Sequence, residues 1–136
     1  RVPKTDRRVR LNAAMDDLSA LLGLLKTGLK GRAAKEEISM LQRGLMKASA
    51  IVAGMKGGLE AETAGLDAAI AARAAKARPP RKFVLPGASE TEALAHIARA
   101  RARICEILAW ELKARGTAIY LNRLSDLLFL TAVSRK

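Results

Sequence analysis

The sequence predicts an all-α domain of five helices, and three observations carry that prediction. Half of the residues are apolar, mostly alanine and leucine, while the β-branched and aromatic side chains that favour sheets are scarce. Apolar residues recur at spacings of three and four along most of the chain. Glycine and proline breaks divide that pattern into five stretches. With 136 residues the chain has the size of one domain around one core, so 1–136 reads as a single helical unit.

In order, the first helix covers residues 9–25, with Met15, Leu18, Leu22 and Leu25 on one face; Thr5-Asp6 ahead of it can cap its start. Asp17 reads as solvated, whereas Asp16, next to Met15, flanks the packed face. Residues 26–31 form a glycine-spaced turn. The second helix spans 34–55 with Ile38, Leu41, Leu45, Ala48 and Val52 inward, and Gly57-Gly58 breaks it. The third, 59–77, has only Leu66 and Ile70 as anchors, which predicts a peripheral or mobile element. Pro79-Pro80 stops it. Phe83-Val84-Leu85-Pro86-Gly87 then forms an irregular loop whose Phe83 either tucks into the core or walls a ligand cleft.

Ser89 and Glu92 make a capping box that starts the fourth helix, 89–113, with Ala93, Ile97, Ile104, Leu108 and Leu112 as apolar contacts. Gly116 is expected to end it and Thr117 to cap the next. The fifth helix carries YLNRLSDLLFL at 120–130. Leu121, Leu124, Leu127 and Leu128 make its apolar face, Asn122 and Asp126 stand one turn apart beside that face, and Arg123 points elsewhere. The short link makes the fourth and fifth helices antiparallel neighbours.

The net charge of +12 calls for an anionic partner: phosphate, nucleotide, nucleic acid or a membrane surface. Few aromatics are available for base stacking, and no apolar run is long enough to span a bilayer, so neither nucleic acid nor membrane is the expected partner. The lone Cys105 excludes an internal disulfide and fits a cytoplasmic setting. With one histidine and one cysteine, no metal site is assigned. No Walker-type loop or dinucleotide fingerprint occurs. His96, Arg99, Arg103 and Glu106 follow at spacings of three, four and three and predict one polar ridge, with Arg101 on another side. Two readings fit the ridge. One is a solvated face with an internal ion pair worth about 0.3–0.5 kcal/mol. The other is a pair of guanidinium forks for phosphate oxygens, completed by Asn122 across the helix pair.

Three segments together resemble the ATP-dependent cobalamin (corrinoid) adenosyltransferases of the propanediol-utilisation type. YLNRLSDLLF at 120–129 is very similar to that family's C-terminal signature. KFVLPG at 82–87 with Ala93, Leu94, His96 and Arg99 resembles its FVLPGG…H…AR segment. RVPKTD at 1–6 and Met15-Asp16-Asp17-Leu18…Gly23 resemble its N-terminal stretches, and Leu41-Gln42…Leu45-Met46 weakly echoes its second helix.

The resemblance implies an up-down, antiparallel five-helix bundle assembling as a homotrimer with active sites between subunits. It implies ATP, Mg²⁺ and cob(I)alamin, with transfer of the 5′-deoxyadenosyl group to cobalt and release of triphosphate. Carried over, Arg99, Arg103 and Asn122 contact ATP, Glu106 matches the glutamate of the arginine-rich helix, and Asp16 reaches Arg99 across the subunit boundary. Phe83 displaces the lower axial base of cobalamin. A corrinoid reductase or an adenosylcobalamin-dependent enzyme would be a partner.

Departures accompany the resemblance. The family's Thr/Gly-rich ATP loop, upstream of RVPK, is expected to be missing. Ile104 and Ile107 stand where arginines are usual, Asn12-Ala13-Ala14 replaces Tyr-Gly-Thr, and Ala88 replaces a glycine. They keep a second reading open: a catalytically weak homologue that binds corrinoid or ATP as an escort or sensor.

Overall fold

The structure, a computed structural model, describes Pro3, residues 6–76 and residues 85–134. Five helices follow one another: α1 (Arg7–Gly28), α2 (Arg32–Val52), α3 (Glu60–Lys76), α4 (Glu90–Glu111) and α5 (Arg115–Val133). No strand occurs among the described residues.

Asp6 caps α1 by accepting the Arg8 N–H at 2.8 Å. The predicted face of α1 is buried, with Leu11, Leu18, Leu22 and Leu25 fully inaccessible. Residues 29–31 reverse the chain, and Gly31 takes φ +91°, a conformation open to glycine without steric cost. The Lys26 ammonium then donates to Ser39 Oγ (3.1 Å) and Gln42 Oε1 (2.8 Å), tying α1 to α2. α2 stops sooner than expected, at Gly54 (φ +121°) rather than at Gly57-Gly58, which leaves Met55 outside the helix.

α5 is the element the others enclose: Tyr120, Leu121, Leu124, Leu127 and Leu128 are all at most 1% exposed. α4 packs along one side of it and α3 along another, while α1 bridges α4 and α2. Tyr120 reaches α2, where its hydroxyl donates to Leu41 O at 3.4 Å. Its ring fills the space that a Cβ at Gly44 would occupy, so the glycine is what lets the ring in.

Two expectations about α4 are corrected. Ile97 and Ile104 are not core contacts, being 43% and 55% exposed. The buried stripe is Ala95, Ala98, Ala102, Cys105 and Ala109, which lets α4 lie close to the leucine-rich faces of α1 and α5. Large side chains on one helix are matched by small ones on the next, as close packing requires. Nor does Gly116 end the helix: α4 closes at Glu111, Lys113 takes φ 60°, and Gly116 and Thr117 lie inside α5. α3 is peripheral, with Leu66 its one buried residue, and ion pairs tether it to its neighbours: Lys47–Glu62, Arg73–Glu37 and Arg123–Asp67.

Candidate functional site

The polar face of α4 divides into a closed end and an open end. At the N-terminus Ser89 Oγ accepts the Glu92 N–H at 3.1 Å, the forward half of the capping box. The Glu92 carboxylate reaches further back, to the N–H groups of Gly87 (2.8 Å) and Ala88 (3.0 Å). The Gly87 amide foremost, with Ala88 and His96 assisting, holds this carboxyl below the usual range against the effect of burial. His96 Nε2 lies 3.1 Å from Glu92 Oε2, although neither ring nitrogen has a well-aligned hydrogen bond among the described residues. Glu92 and His96 are 1% and 5% exposed. His96 is therefore buried structure, and the expected continuous ridge opens only at Arg99.

One turn on, Arg99 and Arg103 line a groove of about 390 Å³. Its opposite wall is Ser125, Asp126, Phe129 and Leu130 of α5, and Ile70 and Ala74 of α3 close it. Arg99 is half-buried and its Nε has no hydrogen-bond partner among the described residues. A buried cationic donor left unmatched costs free energy, so the geometry favours an acceptor arriving there. Asp126 is exposed, yet partial desolvation raises its carboxyl above its ordinary range and Glu106 adds to this, outweighing the opposite pull of Arg123 and Arg103.

Glu106 faces α5, where Asn122 Nδ2 lies 3.4 Å from both of its carboxylate oxygens; Trp110 Nε1–H donates to Glu106 Oε2 at 3.2 Å. Asn122 Oδ1 accepts from Arg123 Nη1 at 2.8 Å. Arg123 thus does not simply point away, as its register implied, but braces its neighbour. Glu106 and Asn122 thus pair across the α4–α5 seam, between the same two helices whose Arg99, Arg103, Ser125 and Asp126 line the groove, but they are not part of its lining. Guanidinium donors and an apolar wall in one groove suit a polyanion with a flat, less polar portion.

Asp16 is exposed on α1 in a second groove, of about 540 Å³, shared with Ser19, Ser39, Gln42 and Met46. Within one chain it does not line the arginine groove. Phe83 lies outside the described residues, as do most of residues 1–5. Arg101 turns from the seam to pair with Asp17 at 3.2 Å. Ile104 and Ile107 are both more than half exposed. Sequence reasoning missed Ser125, Phe129, Ile70 and Ala74. The first two had a signal in their helical register with Asp126, but the α3 residues had none, because no motif places a peripheral helix. Among the described residues no three His, Cys, Asp or Glu side chains cluster as a metal site would need, and no helix is long and apolar enough to cross a membrane.

Comparison with known proteins bears on the fold and the family. The family profile for cobalamin adenosyltransferase matches residues 1–135. The chain is 33% identical over 145 residues to the corrinoid adenosyltransferase PduO of Citrobacter freundii, covering 97% of this chain and 43% of that protein. It therefore spans less than half the length of that relative. Against a corrinoid adenosyltransferase of Bacillus subtilis it is 32% identical over 146 residues, covering 97% of this chain and 76% of the relative. In three dimensions it matches a variant PduO-type ATP:corrinoid adenosyltransferase of Lactobacillus reuteri complexed with cobalamin and ATP. The TM-score is 0.86 at 24% identity, over 96% of this chain and 81% of that one. A second variant of that enzyme, complexed with ATP, gives a TM-score of 0.84 at 25% identity over the same shares. With its helix order, its C-terminal signature and its full-length profile match in agreement, the chain belongs to the cobalamin adenosyltransferase family.

Proposed function

We propose that this chain transfers the 5′-deoxyadenosyl group of ATP to the cobalt of cob(I)alamin, giving adenosylcobalamin and triphosphate. The observation that carries the reading is the unmatched, half-buried Arg99 beside Arg103 in the α3–α4–α5 groove. Arg99 and Arg103 hold the phosphates, Asn122 and Glu106 orient the nucleotide, and Asp126 is the carboxylate able to share a magnesium ion carried in by the triphosphate. Magnesium takes most of its ligands from phosphate and water, so one carboxylate suffices.

In the step itself the electron pair of Co(I) attacks C5′. The Co–C bond forms as C5′–O5′ breaks, and the triphosphate leaves with the bonding pair. No proton moves in this displacement, so no general base is required of the protein. The tasks left to it are holding C5′ in line and neutralising charge that grows on the leaving oxygen. Guanidinium groups fixed in advance perform the second.

Asp16 and Arg99 line separate grooves, and a site containing both needs a second copy of the chain. The reading therefore takes a homotrimer, as the family resemblance implies, with Asp16 of one subunit facing Arg99 of the next. Phe83 takes the lower face of the corrinoid, displacing its axial base. A cytoplasmic setting, with a reductase supplying Co(I) and an adenosylcobalamin-dependent enzyme receiving the product, completes the reading.

The test is an anaerobic reaction of the protein with reduced cobalamin, ATP and Mg²⁺ followed in the visible spectrum. Conversion to adenosylcobalamin is expected. Binding of both substrates without conversion would instead favour the second reading, a weak homologue acting as escort or sensor. The exposed Ile104 and Ile107, where the family usually places arginines, are the observation behind that alternative.

A further inference from the structure

We propose that Arg123 and Asp67 are positioning residues that fix the orientation of the Asn122 carboxamide, so that the peripheral helix α3 sets nucleotide affinity. The inference rests on the reading of the α4–α5 seam as the nucleotide site.

A carboxamide has a donor end and an acceptor end of nearly equal shape, and only its neighbours decide which way it faces. Both neighbours of Asn122 are single-minded. Arg123 can only donate, and its Nη1 lies 2.8 Å from Oδ1, so that end must be the carbonyl. Glu106 as a carboxylate can only accept, and both of its oxygens lie 3.4 Å from Nδ2. The flipped amide would set two donors against each other at one end and two acceptors at the other. The Nδ2 end is therefore held as the donor: one N–H is directed at Glu106, and the second is the one to offer a phosphate or ribose oxygen.

Arg123 is itself held from outside the seam. Its Nε donates to Asp67 Oδ1 at 2.9 Å, and Asp67 follows Leu66, the residue by which α3 is buried in the core. Asp67 has no hydrogen bond to Asn122 or Glu106, so it acts on them only through the guanidinium. The Asp67–Arg123 pair is exposed on both sides, at 54% and 39%, which makes it a weak source of stability. Its consequence is geometric: it aims Nη1 at Asn122.

The experiment compares Asp67→Asn, Arg123→Lys and the double variant with the unaltered chain by steady-state kinetics against ATP and against cob(I)alamin, with thermal unfolding alongside. The expectation is a KM for ATP raised about three- to tenfold in each single variant, with kcat, the corrinoid KM and Tm nearly unchanged, since an orientation lost in ground state and transition state alike appears in KM. The double variant should be no worse than the poorer single, because both act through one contact. Unaltered kinetics in both single variants, or additive losses in the double, would overturn the proposal. A KM for ATP that rises only in step with a falling Tm would also overturn it, assigning the pair to the fold. An unaltered chain that neither binds ATP nor turns over defeats the reading of the seam instead, so the two failures are separable.

Discussion

The two ends of the polar face of α4 have nearly the same helical register and opposite fates. Glu92 and His96 are buried, and the carboxylate spends its acceptor capacity on Gly87 and Ala88 of its own chain. Arg99 and Arg103, one and two turns on, face a groove, and Arg99 Nε has nothing of this chain to bind among the described residues. Spacing brings polar residues to one face, but only what lies over that face decides whether they hold the protein or hold a ligand. Glu92, whose carboxylate is satisfied by backbone amides, belongs to the fold; Arg99, unmatched in the wall of an open groove, marks the site.

The comparison breaks most readily at Arg99. Arg99→Ala is expected to lower adenosyl transfer by about 100- to 1000-fold, the scale seen when one preorganised charge donor is removed from a developing anion. Because Arg99 Nε has no internal partner, Tm should barely move. Kinetics and differential scanning calorimetry on the same sample check this. An equal loss of activity and stability would put Arg99 in the same class as Glu92.

The closed end should answer the other way. Glu92→Ala strips the Gly87 and Ala88 amides of their acceptor and is expected to lower Tm by several degrees, with a smaller loss in Glu92→Gln, which keeps one carbonyl oxygen. The sign of the pH dependence follows from the depressed carboxyl. Its contribution is fully present above the unfolded value, about pH 4.3, and is lost as pH falls through the folded one. Glu92→Gln should therefore flatten the acid limb of a stability–pH profile. An unchanged limb would mean that the Gly87 and Ala88 contacts do not matter to the folded state.

Much of this contrast was legible in the residues. Register alone placed Leu121, Leu124, Leu127 and Leu128 inward and put Asn122 and Asp126 beside them. It also placed Asp6 and Ser89 at helix starts, since capping is local chemistry. Burial on α4 was misjudged, because the isoleucines were the bulkier candidates, whereas the deciding factor was the volume of the leucines facing the alanine stripe. The burial of His96 likewise had no signal in spacing, which set it on the same ridge as Arg99. Asp16 and Arg99 could not be related by spacing in any way, since they lie in different grooves of one chain.

The finest test of the contrast is Asp126, an exposed residue whose carboxyl is raised mainly by partial desolvation in spite of two nearby arginines. A raised carboxyl means that the fold disfavours the charged form. That cost is absent below the unfolded value, about pH 3.9, where both states are protonated, and it is fully present once pH exceeds the folded value. Asp126→Asn removes the charge while keeping the shape. It should be neutral or slightly stabilising at pH 7, with the difference from the unaltered chain vanishing in acid, as read by urea unfolding across pH. Activity should fall all the same, by about tenfold, if the carboxylate shares magnesium with the triphosphate. A stability gain paired with an activity loss is what a residue kept for its ligand produces. Should Asp126→Asn destabilise the protein at neutral pH, the open end of α4 would be as much a part of the fold as the closed one.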